Sequence, residues 1–172
     1  MASSIIAFRT TSCLARTFAL FLVVALAASA SAGPVLRDFD GAERDLKEFT
    51  SESRWLVVMF WASDCHVCNA EARHYVDFHE RHKDTGAAVL GVALDGYAGR
   101  DAARRFIERN ALTFPNLIAD AVPLQRWYEE LTGEPFFGTP TFLIIAPGGA
   151  IAAKQAGAAP VALIENFIAG PN

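Results

Sequence analysis

Two cysteines, Cys65 and Cys68, follow a short run of apolar and aromatic residues. The run LVVMFW at positions 56–61 predicts a buried strand, and the polar segment after Cys65 predicts a helix. Cys65 is therefore expected at a helix N-terminus, where free N–H groups and the positive end of the helix dipole stabilise a thiolate. Cys68 follows one helical turn later, which is near enough for an unstrained disulfide. The spacing predicts thiol–disulfide chemistry, with Cys65 as the nucleophile and Cys68 as the resolving cysteine.

Two structural uses of a C-x-x-C pair compete with this interpretation. A zinc site needs further ligands, and no second C-x-x-C unit follows in the sequence. His79 and His82 share a face of the predicted helix, but we expect both to be solvated polar residues. A purely structural disulfide usually closes a longer loop, where it removes more chain entropy. The pair at a strand–helix junction therefore favours redox chemistry without a bound metal.

The N-terminal 32 residues are predicted to be a secretory signal peptide rather than part of the fold. Arg9 and Arg16 provide the positive region, residues 18–28 the apolar region, and the small residues at 28–32 a cleavage site. An uncleaved membrane anchor is the alternative, although this apolar region is short for a bilayer. We therefore expect an exported, periplasmic protein that is soluble or anchored by its N-terminal segment.

The remaining residues, 33–172, are predicted to form one domain with its own core. Cleavage removes Cys13, so the C-x-x-C pair would be the only cysteines left, which favours exchange over cross-linking. Without Arg9 and Arg16, 13 of the 15 basic residues remain against 19 acidic ones, a formal charge of −6. This acidic balance argues against a nucleic-acid partner.

Predicted strands and helices alternate along this domain. Strands are predicted at 35–39, 42–46, 56–62, 87–95, 114–119, 141–146 and 151–156, and helices at 66–82, 100–110, 123–131 and 160–169. The Asp40-Gly41 turn predicts an N-terminal hairpin, and the PGG turn at 147–149 predicts a second hairpin near the C-terminus. This order predicts an α/β sandwich with a central mixed sheet, flanking helices and an N-terminal β-hairpin extension.

These motifs resemble those of thioredoxin-fold proteins, and most of all those of exported TlpA/ResA-type thiol–disulfide oxidoreductases. The resemblance covers residues 35–168. It depends on the Asp40-Gly41 turn, the FWA run before CHVC at 65–68, Glu71, and the GTPTFLI segment at 138–144. It implies a thioredoxin-like sandwich over residues 33–172.

The resemblance also implies roles for residues around the cysteine pair. The proline matching Pro140 is cis in such proteins and lies against the disulfide, and the residue matching Thr139 pairs through its main chain with an extended substrate. Met59 stands where thioredoxin has a buried aspartate, so proton transfer at Cys68 would depend on Glu71. A solvated surface position is the alternative for Glu71.

Four further residues are predicted to contact the substrate. Trp61 and His66 lie beside the cysteines in sequence. A protonated His66 would favour the thiolate of the reduced form, whereas an exposed spacer is its alternative role. Phe136 and Phe137 belong to an approach to Pro140 that is longer than usual, and they are predicted to form an apolar lip for clients, unless both pack into the core.

The sequence thus predicts an enzyme that exchanges disulfides with cysteine-containing exported proteins and uses no cofactor except its own disulfide. The resemblance implies a reductase, whereas the residues around the cysteines leave both directions, reductase and oxidant, open. The resemblance implies apo-cytochrome c or misoxidised proteins as clients and a membrane partner as electron donor. A copper(I) chaperone that binds metal through both cysteines is the alternative. A peroxidase is a third possibility. Such proteins have a T-x-x-C motif at the reactive cysteine, whereas Ala62 stands at the threonine position here.

Overall fold

The computed structural model describes residues 33–170, in which seven strands form one sheet flanked by four α-helices. The strands are β1 (Leu36–Arg37), β2 (Glu43–Arg44), β3 (Trp55–Trp61), β4 (Ala87–Ala93), β5 (Asn116–Ile118), β6 (Thr141–Ile145) and β7 (Ile151–Ala156). The helices are α1 (His66–His82), α2 (Arg100–Arg109), α3 (Ala121–Thr132) and α4 (Val161–Ala169). Within this described part, no helix has the length and apolar character needed to cross a bilayer. The predicted signal peptide and its anchor alternative, both within residues 1–32, lie outside it.

The strands are arranged in the order β2-β1-β5-β4-β3-β6-β7. The three strands β3, β4 and β5 are parallel, whereas the pairs β3–β6, β6–β7, β1–β5 and β1–β2 are antiparallel. The helices α1 and α2 are the crossover connections that parallel neighbours require. The predicted α/β sandwich with a central mixed sheet, flanking helices and an N-terminal hairpin is confirmed.

Both faces of β3 are buried, which explains its continuous apolar sequence. Alternate residues contribute to two separate cores: Val57, Met59 and Trp61 pack with α1, α2 and α4, and Leu56, Val58 and Phe60 pack with α3. Met59, at the position of the buried aspartate in thioredoxin, is 1% exposed and belongs to the first core. The strand that leads to the cysteines is therefore fixed from both sides.

The N-terminal hairpin within residues 35–46 is confirmed, but its strands are shorter than predicted. Asp38 ends β1 because its carboxylate accepts the backbone N–H groups of Asp40 and Ala42, at 3.0 and 2.9 Å. Such a local side-chain bond competes with the sheet for backbone donors. A 3-10 turn at Leu46–Phe49 then follows β2.

The third helix, α3, extends beyond the predicted 123–131 at both ends. Its first turn begins after Asp120, whose carbonyl accepts the N–H of Leu124 at 3.2 Å. Pro123 thus lies in the first turn, where its missing N–H leaves no helical bond unmade. Gly133 ends the helix in the left-handed conformation, with φ of 70°, which glycine adopts without steric cost.

The prediction that His79 is solvated is wrong. Its side chain is 7% exposed, because α1 packs against β4 and covers the ring. The ring nitrogen Nδ1 accepts the backbone N–H of Val89 at 3.1 Å, which requires an unprotonated Nδ1. Burial accordingly lowers the pKa of His79 below its ordinary value.

The buried His79 predicts a loss of stability in mild acid. Because its pKa is lower in the folded protein, the unfolded chain binds more protons below about pH 6.5, and the free energy of unfolding decreases as the pH decreases from there. In urea titrations at about pH 7.5 and about pH 5.5, we expect a smaller decrease for His79→Gln than for the wild type. His74→Gln, which changes an exposed histidine of the same helix, is the control. Equal decreases for His79→Gln and the wild type would contradict the prediction.

Candidate active site

Cys65 and Cys68 form a disulfide at the N-terminus of α1, with an S–S distance of 2.11 Å and a Cα–Cα distance of 5.2 Å. Cys65 is the N-cap residue, and its Sγ accepts the backbone N–H of Cys68 at 3.0 Å. This bond satisfies one of the amides that a helix leaves unpaired at its start. The predicted placement of both cysteines is confirmed.

The two sulfur atoms have different surroundings. Cys65 is half-buried, whereas Cys68 is 0% exposed and belongs to the core formed with α1, α2 and α4. An incoming thiol or disulfide therefore reaches Cys65 and not Cys68. This difference in exposure is the one that the predicted roles require, with an accessible nucleophile and a shielded resolving cysteine.

The prediction that Trp61 contacts the substrate is wrong, because its side chain is 0% exposed. Its Nε1–H donates to Asn116 Oδ1 at 3.1 Å, and its ring stacks on Phe106 with centroids 4.4 Å apart. Gly91 on β4 makes the first of these contacts feasible, because a Cβ there would lie 2.8 Å from Trp61 Nε1. Trp61 therefore anchors the end of β3 instead of binding a client.

The loop before β6 lies beside the end of β3, because Thr141 is paired with Phe60 in the sheet. The Thr139–Pro140 peptide bond is cis. The carbonyl of Gly138 accepts the Thr141 hydroxyl at 2.6 Å, and the carbonyl of Pro140 accepts another backbone N–H at 2.8 Å. Thr139 lies between them, half-buried, and its backbone N–H and C=O have no hydrogen-bond partner among residues 33–170.

The two phenylalanines of the predicted lip have different surroundings, and Phe136 is half-buried. Its ring packs edge-to-face against Phe60 and Tyr128, with centroid distances of 6.0 and 5.2 Å, so it covers the second core. Phe137 is 79% exposed. Of the two rings, that of Phe137 is the more exposed, and the role of both in client binding stays a prediction.

The remaining predicted residues lie on the first turns of α1. His66 is exposed, and so is Asp64 in the preceding loop. Glu71 is half-buried one turn after Cys68. Burial, and after it the negative charge of Glu71, raises the pKa of Tyr75. The role of Glu71 in proton transfer stays a prediction.

Sequence reasoning missed one polar contact at this site. The carboxylate of Asp95, which follows β4, accepts hydrogen bonds from Ser63 in the loop before Cys65. A signal was present in the sequence, because polar residues that follow neighbouring parallel strands lie at the same edge of the sheet.

The fold defines a thioredoxin-fold protein, and its C-x-x-C disulfide lies half-exposed at the N-terminus of α1. A solved thioredoxin domain of a thiol-disulfide oxidoreductase from Bacteroides vulgatus has the same fold, with a TM-score of 0.63 and 20% identity over 80% of this chain and 96% of that one. A secreted Mycobacterium tuberculosis disulfide oxidoreductase homologous to E. coli DsbE gives a TM-score of 0.55 at 23% identity, over 74% of this chain and 88% of that one.

The chain belongs to the AhpC/TSA family, which matches residues 27–154. A similar curated protein is the thiol-disulfide oxidoreductase ResA of Oceanobacillus iheyensis, 28% identical over 117 residues. The match covers 68% of this chain and 57% of the ResA protein, so this chain spans little more than half the length of that relative. The predicted resemblance to thioredoxin-fold proteins of the ResA type is confirmed.

The position of Glu71 predicts an effect on the pH dependence of exchange. Because a positioned general acid–base typically contributes about 10²–10⁴-fold, Glu71→Gln should slow disulfide exchange at neutral pH and remove one ionisation from the pH–rate profile. The measurement is insulin reduction over a range of pH. Glu108→Gln, which changes an exposed glutamate of α2, is the control. An unchanged profile for Glu71→Gln would assign this residue to the helix surface.

Proposed function

We propose that this protein is a thiol–disulfide oxidoreductase that reduces disulfides of exported proteins. The observation that carries the proposal is the asymmetry of the disulfide: Cys65 is half-exposed at a helix N-terminus, and Cys68 is fully buried behind it. The ResA name of the curated relative supports the same activity.

The first step is attack by the Cys65 thiolate on one sulfur of the client disulfide. A new S–S bond forms between Cys65 and the client, the client S–S bond breaks, and the other client sulfur leaves as a thiolate. The N-terminus of α1 favours the attacking thiolate, because the Cys68 N–H lies 3.0 Å from Cys65 Sγ.

The second step releases the client. The Cys68 thiolate attacks Cys65 Sγ, so the Cys65–Cys68 bond forms and the mixed disulfide breaks. Two electrons have then passed to the client, which leaves as a dithiol after protonation. Glu71 is the proposed proton carrier for Cys68. A membrane partner that supplies two electrons as a dithiol would restore the reduced pair.

Client docking is proposed at the loop before β6. The unpaired N–H and C=O of Thr139 are suited to an extended peptide, which would complete a short antiparallel pairing there. Phe137 offers an exposed apolar ring two positions before Thr139, and His66 offers a polar contact at the start of α1. Cysteine-containing segments such as those of apo-cytochrome c or of misoxidised proteins fit this description.

The proposed location is the periplasm, with the protein soluble or anchored by its N-terminal segment. The charge and apolar pattern of residues 1–32 support export. The similar disulfide oxidoreductase of M. tuberculosis is a secreted protein, which is consistent with export. The copper-chaperone alternative is not favoured, because the curated relatives are named thiol-disulfide oxidoreductases.

Trapping of clients tests the proposed function. In Cys68→Ala the nucleophile remains while the resolving thiol is absent, so mixed disulfides with insulin or with exported proteins should accumulate. Cys65→Ala is the matched control, because its remaining thiol is buried and should trap nothing. The products are counted as reductant-sensitive bands on non-reducing gels. Trapping by Cys65→Ala but not by Cys68→Ala would reverse the roles, and absence of trapping by both would refute the proposal.

The exposed ring of Phe137 predicts a selective effect on protein clients. Phe137→Ser should lower the rate of insulin reduction by about tenfold or more, since burying a phenylalanine side chain against a large client contributes about 1.5–3 kcal/mol. The rate with a small disulfide such as oxidised glutathione should stay the same, because Cys65 is unchanged. Leu163→Ser, on α4, changes a side chain that is 63% exposed and serves as the control. Equal rates for Phe137→Ser and the wild type on insulin would remove Phe137 from the docking surface.

A further inference from the structure

The carboxylate of Asp95 holds the loop that presents Cys65. Both of its oxygens accept the backbone N–H of Ser63, at 3.2 and 3.1 Å. The Ser63 hydroxyl donates a further hydrogen bond to Asp95 Oδ1. Bonds in which the acceptor is ionised are stronger than those between neutral groups. Three contacts between these two residues therefore fix the position of Ser63.

Asp95 is itself held rigidly, because the residues on both sides of it are bonded to neighbouring strands. The N–H of Leu94 donates to the carbonyl of Trp61 at 2.8 Å, at the end of β3. The N–H of Gly96 donates to the carbonyl of Ala119 at 3.1 Å, just after β5. Asp95 thus lies where the ends of the parallel strands β3, β4 and β5 are joined by backbone hydrogen bonds.

The position of Ser63 determines that of Cys65 through a tight turn. The N–H of Cys65 donates to the carbonyl of Ala62 at 3.1 Å, and this bond closes the turn around Ser63. Cys65 then caps α1, with its Sγ 3.0 Å from the N–H of Cys68. A displacement of Ser63 would therefore move the sulfur away from the helix N-terminus.

We propose that Asp95 is a positioning residue, which acts through Ser63 to keep the Cys65 sulfur at the N-terminus of α1. The inference rests on the proposed function, in which Cys65 is the attacking thiolate. Asp95 also carries a negative charge, and a nearby negative charge by itself disfavours a thiolate. Asp64 and His66 are the charged or titratable neighbours of Cys65 in sequence, and neither side chain has a hydrogen-bond partner among the described residues. Geometry and charge thus have opposite effects on the Cys65 thiol.

Alkylation of the reduced full-length protein separates the two effects. The midpoint pH for iodoacetamide modification of Cys65 is measured, with the modified residue located by mass spectrometry. Ser63→Ala removes one bond to Asp95 without changing charge, and Asp95→Asn leaves only one oxygen to accept the Ser63 donors. We expect both variants to move the midpoint to higher pH, by about half a unit or about a threefold change in the thiolate-to-thiol ratio.

Two carboxylate variants serve as controls for this measurement. Asp64→Asn removes a charge beside Cys65 without removing a hydrogen bond, and should move the midpoint to lower pH. Asp101→Asn makes the same chemical change on α2, where the side chain is 76% exposed, and should leave the midpoint unchanged. A purely structural role for Asp95 would lower thermal stability without moving the midpoint.

A downward shift for Asp95→Asn, or an unchanged midpoint for Ser63→Ala, overturns the inference. Circular dichroism shows whether each variant is folded, and Ser63→Ala decides the question alone if Asp95→Asn does not fold. Insulin reduction by the wild type is measured in parallel. Lack of insulin reduction would refute the proposed function. The alkylation midpoints report only on the Cys65 thiol, so failure of the proposed function is distinguishable from failure of the inference on Asp95.

Discussion

The hydrogen bond from the Cys68 amide to the Cys65 sulfur is the interaction on which the rest of the site depends. It lies at the start of α1, so its position in the protein depends on how that helix is held against β3. The core holds the helix against the strand. Three residues of one buried cluster are at most 1% exposed: Met59 on β3, and Cys68 and Ala72 on α1. Without this packing, the loop before α1 would not keep the Cys65 sulfur at the helix N-terminus.

The same core also separates the roles of the two cysteines. Because Cys68 is packed among apolar side chains, its thiol is reached only through a sulfur already attached to Cys65. In the proposed mechanism, the order of the two exchange steps therefore follows from burial as much as from thiol chemistry. The loop at Thr139 lies beside the strand that leads to Cys65, and the backbone groups of Thr139 have no hydrogen-bond partner among residues 33–170.

Local signals in the sequence were sufficient for much of this structure. The helix α1 has its predicted bounds, His66–His82, because the cysteine motif marks its start and the polar residues after His82 mark its end. Contacts between distant segments were not predictable in this way. His79 is buried because α1 packs against β4, and Phe136 is half-buried because its loop folds back onto Tyr128. The bond between Ser63 and Asp95 joins residues 32 positions apart, so it depends on strand order.

The absence of a side chain at Gly91 has a consequence for attempts to engineer this protein. Replacing a strand glycine by alanine is a common stabilising choice, because it reduces the freedom of the unfolded chain. At Gly91 the added methyl group would occupy the space of the Asn116 amide and lie 2.8 Å from Trp61 Nε1. The disturbance would pass along β3 toward the cysteines. Thermostability and reactivity are therefore linked at a residue that carries no functional group at all.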